Sequence, residues 1–184
     1  MEQNLDMLLV ALLLKGRAHP RALARTLGIN HMTVVRRLRA LVAGNVLDHE
    51  VSGRNKVYRL KRTVEARSAV FMAELHKLDL LLAARPSLRR IVSQVQQDPR
   101  IGLAVIFGSH AKGTATKDSD VDLYIETRDG AMKGELERLS SRLSLKTGPY
   151  DRENPVIREL ERDHVIVKGV EAFYDRSRLL ETPP

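Results

Sequence analysis

The chain has 184 residues, 43% of them hydrophobic and 29% charged, which allows packed cores in one ordinary domain or in two small ones. It contains no cysteine, and this excludes disulfide bridges and thiolate metal sites. The net charge is +8, and the excess is confined to residues 1–62. That segment holds 12 Lys or Arg and 4 Asp or Glu, whereas residues 63–184 hold 19 of each kind. Such a partition is expected of a segment that binds a polyanion.

The longest apolar run near the start covers residues 7–14, which is too short to cross a bilayer. Acidic Glu2 and Asp6 precede it where a secretion signal would carry basic residues, and no small-residue cleavage site follows. We therefore expect a cytoplasmic protein that has no membrane partner.

The first 62 residues carry signals for three helices followed by a hairpin. The predicted helices cover residues 4–15, 20–27 and 31–43, and the predicted strands cover residues 46–51 and 56–60. Pro20 suits the first turn of the second helix, and Asn30 is a suitable N-cap for the third. Five residues share one face of the third helix and are predicted to be buried: Val34, Val35, Leu38, Leu41 and Val42.

This order of elements resembles the winged helix-turn-helix of archaeal and bacterial transcription regulators, especially over residues 30–38. The resemblance implies that the third helix enters the major groove of double-stranded DNA. Four of its side chains are then expected to approach base edges: Met32, Thr33, Arg36 and Arg37. Arg54 and Lys56 in the wing are expected to contact phosphate, which adds affinity without reading sequence. The alternative, a solvated basic face on a module that only dimerises or binds protein, leaves the charge partition unexplained.

The segment that follows predicts an amphipathic helix, because five apolar residues recur at spacings of seven, four, three and four. They are Val64, Phe71, Leu75, Leu78 and Leu82. A further helix is predicted over residues 87–97, after Arg85-Pro86. Two interpretations of the apolar face stay open: it packs inside its own chain, or it pairs with a second copy. A homodimer suits a DNA-binding protein, because paired modules read paired half-sites.

Two apolar strands frame the segment that carries the chemistry. The first, residues 102–107, ends in Gly108-Ser109, where glycine lets the backbone approach a phosphate and serine adds a hydroxyl donor. The second opens with Asp120-Val121-Asp122. Because residues two apart on a strand point to the same face, both aspartates can hold a hard divalent cation beside a triphosphate.

The whole string from Phe107 to Leu123 resembles the signature of the polymerase-β nucleotidyltransferase superfamily in its minimal form. The similarity covers roughly residues 98–184, and the order of a winged helix before this domain resembles an archaeal arrangement. The resemblance implies an NTP as substrate or ligand, with Mg²⁺ or Mn²⁺ on Asp120 and Asp122. The phosphate-binding set is then expected to be Gly108, Ser109, Lys112 and Lys117. Similar minimal domains include antitoxins that modify a partner protein, so a protein acceptor or toxin partner is one implication.

One position departs from the family pattern. Active members usually carry a third carboxylate on the next strand, predicted here over residues 142–147, and Ser144 occupies that position. Serine cannot replace an anion as metal ligand or general base. Asp151 and Glu126 are the remaining candidates for that role. Two hypotheses follow: an enzyme that transfers a nucleotidyl group, and a transcription regulator whose domain binds nucleotide or mediates oligomerisation without catalysis.

The sequence as a whole predicts an α+β chain with three parts. These are a winged helix-turn-helix at residues 1–62, a helical connector at 63–97, and a small α/β nucleotidyltransferase fold at 98–184. Asn154 and Pro155 open a helix in the last part, and a strand is predicted over residues 165–167. We expect this part to hold a mixed sheet with helices on one face.

Overall fold

The structure is a computed structural model that describes residues 2–53 and 55–180. Within that range the chain divides into two compact units, one formed by residues 2–76 with 179–180 and the other by residues 77–178. Among the helices of the described residues, none has the length and hydrophobicity needed to cross a membrane.

The N-terminal unit begins with three helices that follow the sequence signals closely. They are α1 (Glu2–Leu13), α2 (Pro20–Leu27) and α3 (His31–Ala43). Gly28 ends α2 in the left-handed conformation, with φ of 64°, which glycine adopts at no steric cost. The side chain of Asn30 accepts a hydrogen bond of 2.7 Å from the backbone N–H of Met32, so the predicted N-cap is confirmed.

A two-stranded hairpin follows, formed by β1 (Leu47–Ser52) and β2 (Asn55–Leu60). The strands pair antiparallel, from Leu47 opposite Leu60 to Ser52 opposite Asn55. Ala18, just before α2, forms an isolated bridge with Tyr58 of β2, which fixes the hairpin against the helices. Three helices and a hairpin in this order form a winged helix-turn-helix arrangement, and the predicted fold class is confirmed.

The core of this unit includes one face of α3, but the face is narrower than predicted. Val34, Leu38 and Leu41 are buried, whereas Val35 and Val42 are only partly covered. A helix with 3.6 residues per turn packs only a narrow stripe of side chains against the core. Residues at the edge of the predicted apolar face therefore stay partly exposed.

A long helix, α4 (Val64–Ala84), leaves much of its predicted apolar face exposed. Of the repeating residues, Leu78 is buried, but Val64 is 79% exposed and Leu75 is 55% exposed. The helix instead buries small residues at helical spacing, namely Ala66, Ala69, Val70 and Ala73. The large residues of the predicted face therefore do not form the buried side of this helix, and their pairing with a second copy stays a prediction.

The C-terminal unit is built around a four-stranded sheet. Its elements in chain order are α5 (Arg89–Gln97), β3 (Ala104–Phe107), α6 (Gly108–Lys112), β4 (Val121–Glu126), α7 (Gly130–Glu137), β5 (Leu143–Gly148), α8 (Pro155–Arg162), β6 (Val165–Lys168) and α9 (Val170–Ser177). The strand order is β5-β4-β3-β6, with β4 and β5 parallel and the other pairs antiparallel. The sheet is mixed, as predicted.

Helices cover both faces of this sheet, which corrects the expectation of helices on one face. On one face, residues of α5 and α7 pack with alternate strand residues such as Leu123 and Ile125. On the other face, Tyr124 meets the ring of Tyr150, and Tyr150 meets Phe173 of α9. The second layer was not evident from the sequence because aromatic residues from separate segments build it.

Candidate functional site

The Gly-Ser turn and the paired aspartates meet at one end of the sheet. Phe107, the last residue of β3, pairs with Asp122 of β4, so Gly108 begins directly beside that carboxylate. A β-carbon at Gly108 would lie 3.1 Å from Cγ of Asp122 and closer still to its Oδ2, and the φ of Gly108 is 66°. Glycine is required there for conformation and for space. The structure therefore places Asp122 of the predicted acidic pair against the turn.

Asp120 and Asp122 sit two positions apart where β4 begins, Asp120 exposed and Asp122 partly buried. Two carboxylates on one face, open to solvent, suit Mg²⁺, which commonly takes one or two protein carboxylates and completes its shell with phosphate oxygens and water. Within the described residues, no group of three or more His, Cys, Asp or Glu is placed to hold a metal ion.

Ser144 lies on β5 directly opposite Asp122 in the parallel register. Neighbouring residues on adjacent strands point to the same face, so Ser144 stands beside the acidic pair as predicted from the sequence. The two alternative carboxylates have other partners. Glu126 forms an ion pair of 2.7 Å with Arg176, and Asp151 accepts from the backbone N–H of Glu153 at 3.0 Å in a turn.

The two lysines expected near phosphate occupy different surroundings. Lys112 donates to Glu159 of α8 at 2.7 Å, so its charge is already balanced. Lys117 is exposed in the loop between α6 and β4, and its carbonyl accepts from Arg142. The structure brings Gly108 and Asp122 together, whereas Lys112 is engaged in its ion pair with Glu159.

Tyr124 continues the face of Asp122 further along β4. Its hydroxyl donates to the carbonyl of Gly148 at 2.9 Å, and its ring is buried. Burial raises the pKa of Tyr124, and the nearby charge of Glu126 adds to that rise, so the phenol stays protonated and remains a donor. Tyr124 therefore places a neutral, buried side chain next to Asp122 on the same face of β4.

The DNA-contact residues predicted on α3 divide into two sets. Met32 is 66% exposed, Arg36 is also exposed, and Thr33 is partly covered. Arg37 instead donates through Nε to Asp6 of α1 at 2.8 Å, with a second ion-pair contact from its Nη2, and both side chains are mostly buried. The structure gives Arg37 a role in joining α1 to α3. Arg54 lies outside the described residues.

A basic cleft on the same unit was not anticipated from the sequence. It has a volume of about 400 Å³ and lies between the start of α2, one face of α3 and strand β2. Its titratable or cationic lining residues are His19, Arg21, His31, Arg39 and Lys56. His31, Val35 and Arg39 recur every four residues on α3, and this spacing was the available signal. Lys56 thus falls where several cations converge.

The fold defines a two-unit protein that combines a winged helix-turn-helix arrangement with a mixed-sheet domain carrying an acidic pair. Residues 88–178, slightly less than half of the chain, match the family model of the nucleotidyltransferase domain. Among curated proteins, no sequence matches the chain.

One similar solved structure is the adhesin competence repressor from Streptococcus pyogenes. It shares 20% sequence identity over 48% of this chain, with a TM-score of 0.38. The match spans 65% of that repressor's length.

Proposed function

We propose that the chain is a DNA-binding nucleotidyltransferase that moves a nucleotidyl group from an NTP to an acceptor hydroxyl. The observation that carries this proposal is the placement of Asp122 directly over Gly108 at the end of β3. A backbone turn that a phosphate can approach then lies next to a carboxylate that can bind the cation accompanying that phosphate. The match of residues 88–178 to the nucleotidyltransferase domain supports the same assignment.

In the proposed reaction the acceptor oxygen attacks the α-phosphorus, the bond to pyrophosphate breaks, and the hydroxyl proton is lost. Gly108 and Ser109 bind phosphate oxygens, and Asp120 and Asp122 hold the cation. Mg²⁺ or Mn²⁺, when bound, neutralises charge on the triphosphate and on the leaving pyrophosphate. Ser144 offers no carboxylate base beside Asp122, so the proton passes to solvent and turnover is slow.

A second function is favoured by the same Ser144. In this alternative the chain is a transcription regulator whose nucleotidyltransferase domain senses nucleotide without transferring it. Both functions place double-stranded DNA on the N-terminal unit, which carries the basic cleft and where Met32 and Arg36 are exposed and Thr33 is partly exposed. A partner protein, including a toxin, is the proposed acceptor in the first function and is not needed in the second.

One experiment separates the two. Purified protein is incubated with α-labelled NTPs, Mg²⁺ or Mn²⁺, and extract of the native host. Transfer of label that is lost in Asp120→Ala/Asp122→Ala, but kept in Glu153→Ala, supports the enzyme; Glu153 is an exposed carboxylate outside the site. Absence of transfer, together with nucleotide-sensitive binding to the protein's own promoter, supports the regulator. Absence of both contradicts both functions.

We also propose that two copies pair through α4. Val64, Met72 and Leu75 are exposed at 79%, 44% and 55%, and with Phe71 they form a stripe with heptad-like spacing. A second copy presents the same stripe, and a dimer places two DNA-binding modules on paired half-sites. Sedimentation should show a dimer that Leu75→Glu dissociates. Leu80→Glu, at an equally exposed position off the stripe, should leave it intact; a monomeric parent chain contradicts pairing.

A further inference from the structure

A second cavity lies within the C-terminal unit, on the side of β4 away from the acidic pair. It encloses about 370 Å³. Leu88, Ile91 and Val121 form its apolar wall. Because side chains alternate along a strand, Val121 points to the face opposite Asp120 and Asp122. The cavity therefore lies on the sheet face opposite Asp122, and of the residues expected to bind phosphate only Lys117 lines it.

His110 lines this cavity with its hydrogen-bonding capacity unused. The residue is only 8% exposed, and both ring nitrogens are shielded from solvent. Among the described residues, no group forms a hydrogen bond with either nitrogen. A buried imidazole without partners costs about 1–3 kcal/mol for each unsatisfied group, so native proteins seldom keep one without a use. A polar group of a molecule bound in the cavity could supply such a partner.

The charge of the residues that line the cavity indicates the chemical class of the molecule that would bind there. Arg85, Lys117 and Arg142 contribute to the wall, and none of the described lining residues is acidic. An apolar wall with a cationic rim suits a molecule that has a hydrophobic body and one negative group. The volume is sufficient for a single aromatic ring with its substituents.

We infer that this cavity binds a small organic anion, a carboxylate or a phosphomonoester with an apolar body. The anionic group contacts the cations of the rim, the body lies against Leu88 and Ile91, and a polar substituent bonds to His110. The site is an effector site, because it is separate from the reacting groups and open at a different face of the sheet.

Two arginines of the rim connect this site to the acidic pair. Arg85 donates to the carbonyl of Ala115, and Arg142 donates to the carbonyl of Lys117 and to Asp118, the latter at 3.2 Å. These bonds hold the loop that leads into Asp120. An anion that draws either guanidinium into the cavity weakens them and changes the position of that loop. This coupling rests on the proposed function, whereas binding of the anion does not.

The test uses the full chain without nucleotide, so that it is independent of catalysis. The histidine rings are labelled with ¹⁵N, the signal of His110 is assigned with His110→Phe, and the protein is titrated with salicylate and with phenyl phosphate. Benzyl alcohol, which has the ring but no charge, and inorganic phosphate, which has the charge but no ring, are the controls. We expect saturable shifts of the His110 signal with at least one organic anion and with neither control.

Lys117→Gln and Arg142→Gln should each weaken binding about tenfold in ligand-detected NMR, as expected when one charge-assisted hydrogen bond is removed. Arg128→Gln, a cation that does not line the cavity, should leave it unchanged. Three results overturn the inference. The first is no shift of the His110 signal with either organic anion up to about 10 mM, a concentration that reveals even millimolar affinity. The second is an equal shift with one of the controls. The third is unchanged affinity in both rim variants.

Discussion

The carboxylate of Asp122 lies against the backbone of Gly108, so close that a β-carbon at position 108 would be 3.1 Å from its Cγ. The contact joins the turn after β3 to the acidic start of β4. Neither residue could bind a metal-bound triphosphate alone, because one lacks charge and the other lacks donors. Their contact also makes the turn sensitive to any added side chain, and a direct prediction follows.

Gly108→Ala should abolish nucleotide binding and destabilise the protein more than an ordinary glycine substitution. Gly113→Ala is the matched control, since Gly113 has a similar φ of 73° but nothing within 4 Å of an added β-carbon. The control should cost about 1–2 kcal/mol from the left-handed backbone alone. Gly108→Ala adds displacement of Asp122 to that cost. Urea unfolding and equilibrium nucleotide binding measure both; equal effects of the two variants would show that the contact is unimportant.

Ser144→Asp should strengthen metal binding, because the new carboxylate would stand beside Asp122 in the parallel register. We expect affinity for Mn²⁺ to rise about tenfold, which corresponds to about 1.4 kcal/mol. Ser144→Asn, of similar size to the aspartate but uncharged, should leave the affinity unchanged. Electron paramagnetic resonance of free Mn²⁺ measures this directly. If the asparagine variant behaves like the aspartate variant, charge at this position is not what the site lacks.

Asp6→Asn should destabilise the N-terminal unit by about 1–2 kcal/mol, since it leaves Arg37 mostly buried beside a neutral partner. The side chains of this pair are 16% and 22% exposed. Asp48→Asn breaks the pair with Arg59, whose side chains are 45% and 46% exposed, and should cost less than about 1 kcal/mol. Thermal unfolding of the two variants gives the comparison. If both variants lose the same stability, the Arg37–Asp6 pair stabilises the protein no more than an exposed surface ion pair does.

The affinity for duplex DNA should fall steeply as the salt concentration rises. In Arg21→Gln/Arg39→Gln, the slope of log affinity against log salt concentration should decrease by about one for each phosphate that is no longer neutralised. These residues line the basic cleft between α2, α3 and β2. Arg59→Gln removes a charge already paired with Asp48 and serves as the control. Arg36→Ala should weaken DNA binding. Salt-insensitive binding would contradict DNA as the partner of this unit.

The elements with local signals could be predicted from the sequence. Asn30 caps α3 and Asn154 caps α8, each by accepting a backbone N–H two residues on. A cap depends on neighbouring residues only, so the chain order reveals it. The pairing of Ser144 with Asp122 was also within reach, since alternation on two successive strands fixes which residues share a face.

Features that depend on distant residues could not be predicted. Lys112 and Glu159 are far apart in the chain, and only the fold brings α8 beside α6. The same holds for Arg37 and Asp6, and for the burial of His110. On α4 the sequence pattern favoured large apolar residues, whereas packing selected alanines. Tertiary contacts determine whether a charged side chain forms an ion pair within the fold or stays available to a ligand. Such contacts cannot be inferred from one sequence.

The turn at Gly108 and the pair Asp120 and Asp122 are proposed to form one metal-dependent nucleotide site, and the other functional assignments depend on it. Equilibrium dialysis with labelled ATP, in Mg²⁺ and in EDTA, tests this most directly, with Asp122→Asn as the variant. We predict saturable binding in Mg²⁺ that disappears in EDTA and is reduced at least about tenfold in the variant. Binding that survives both changes, or no binding up to millimolar ATP, would contradict the proposed site.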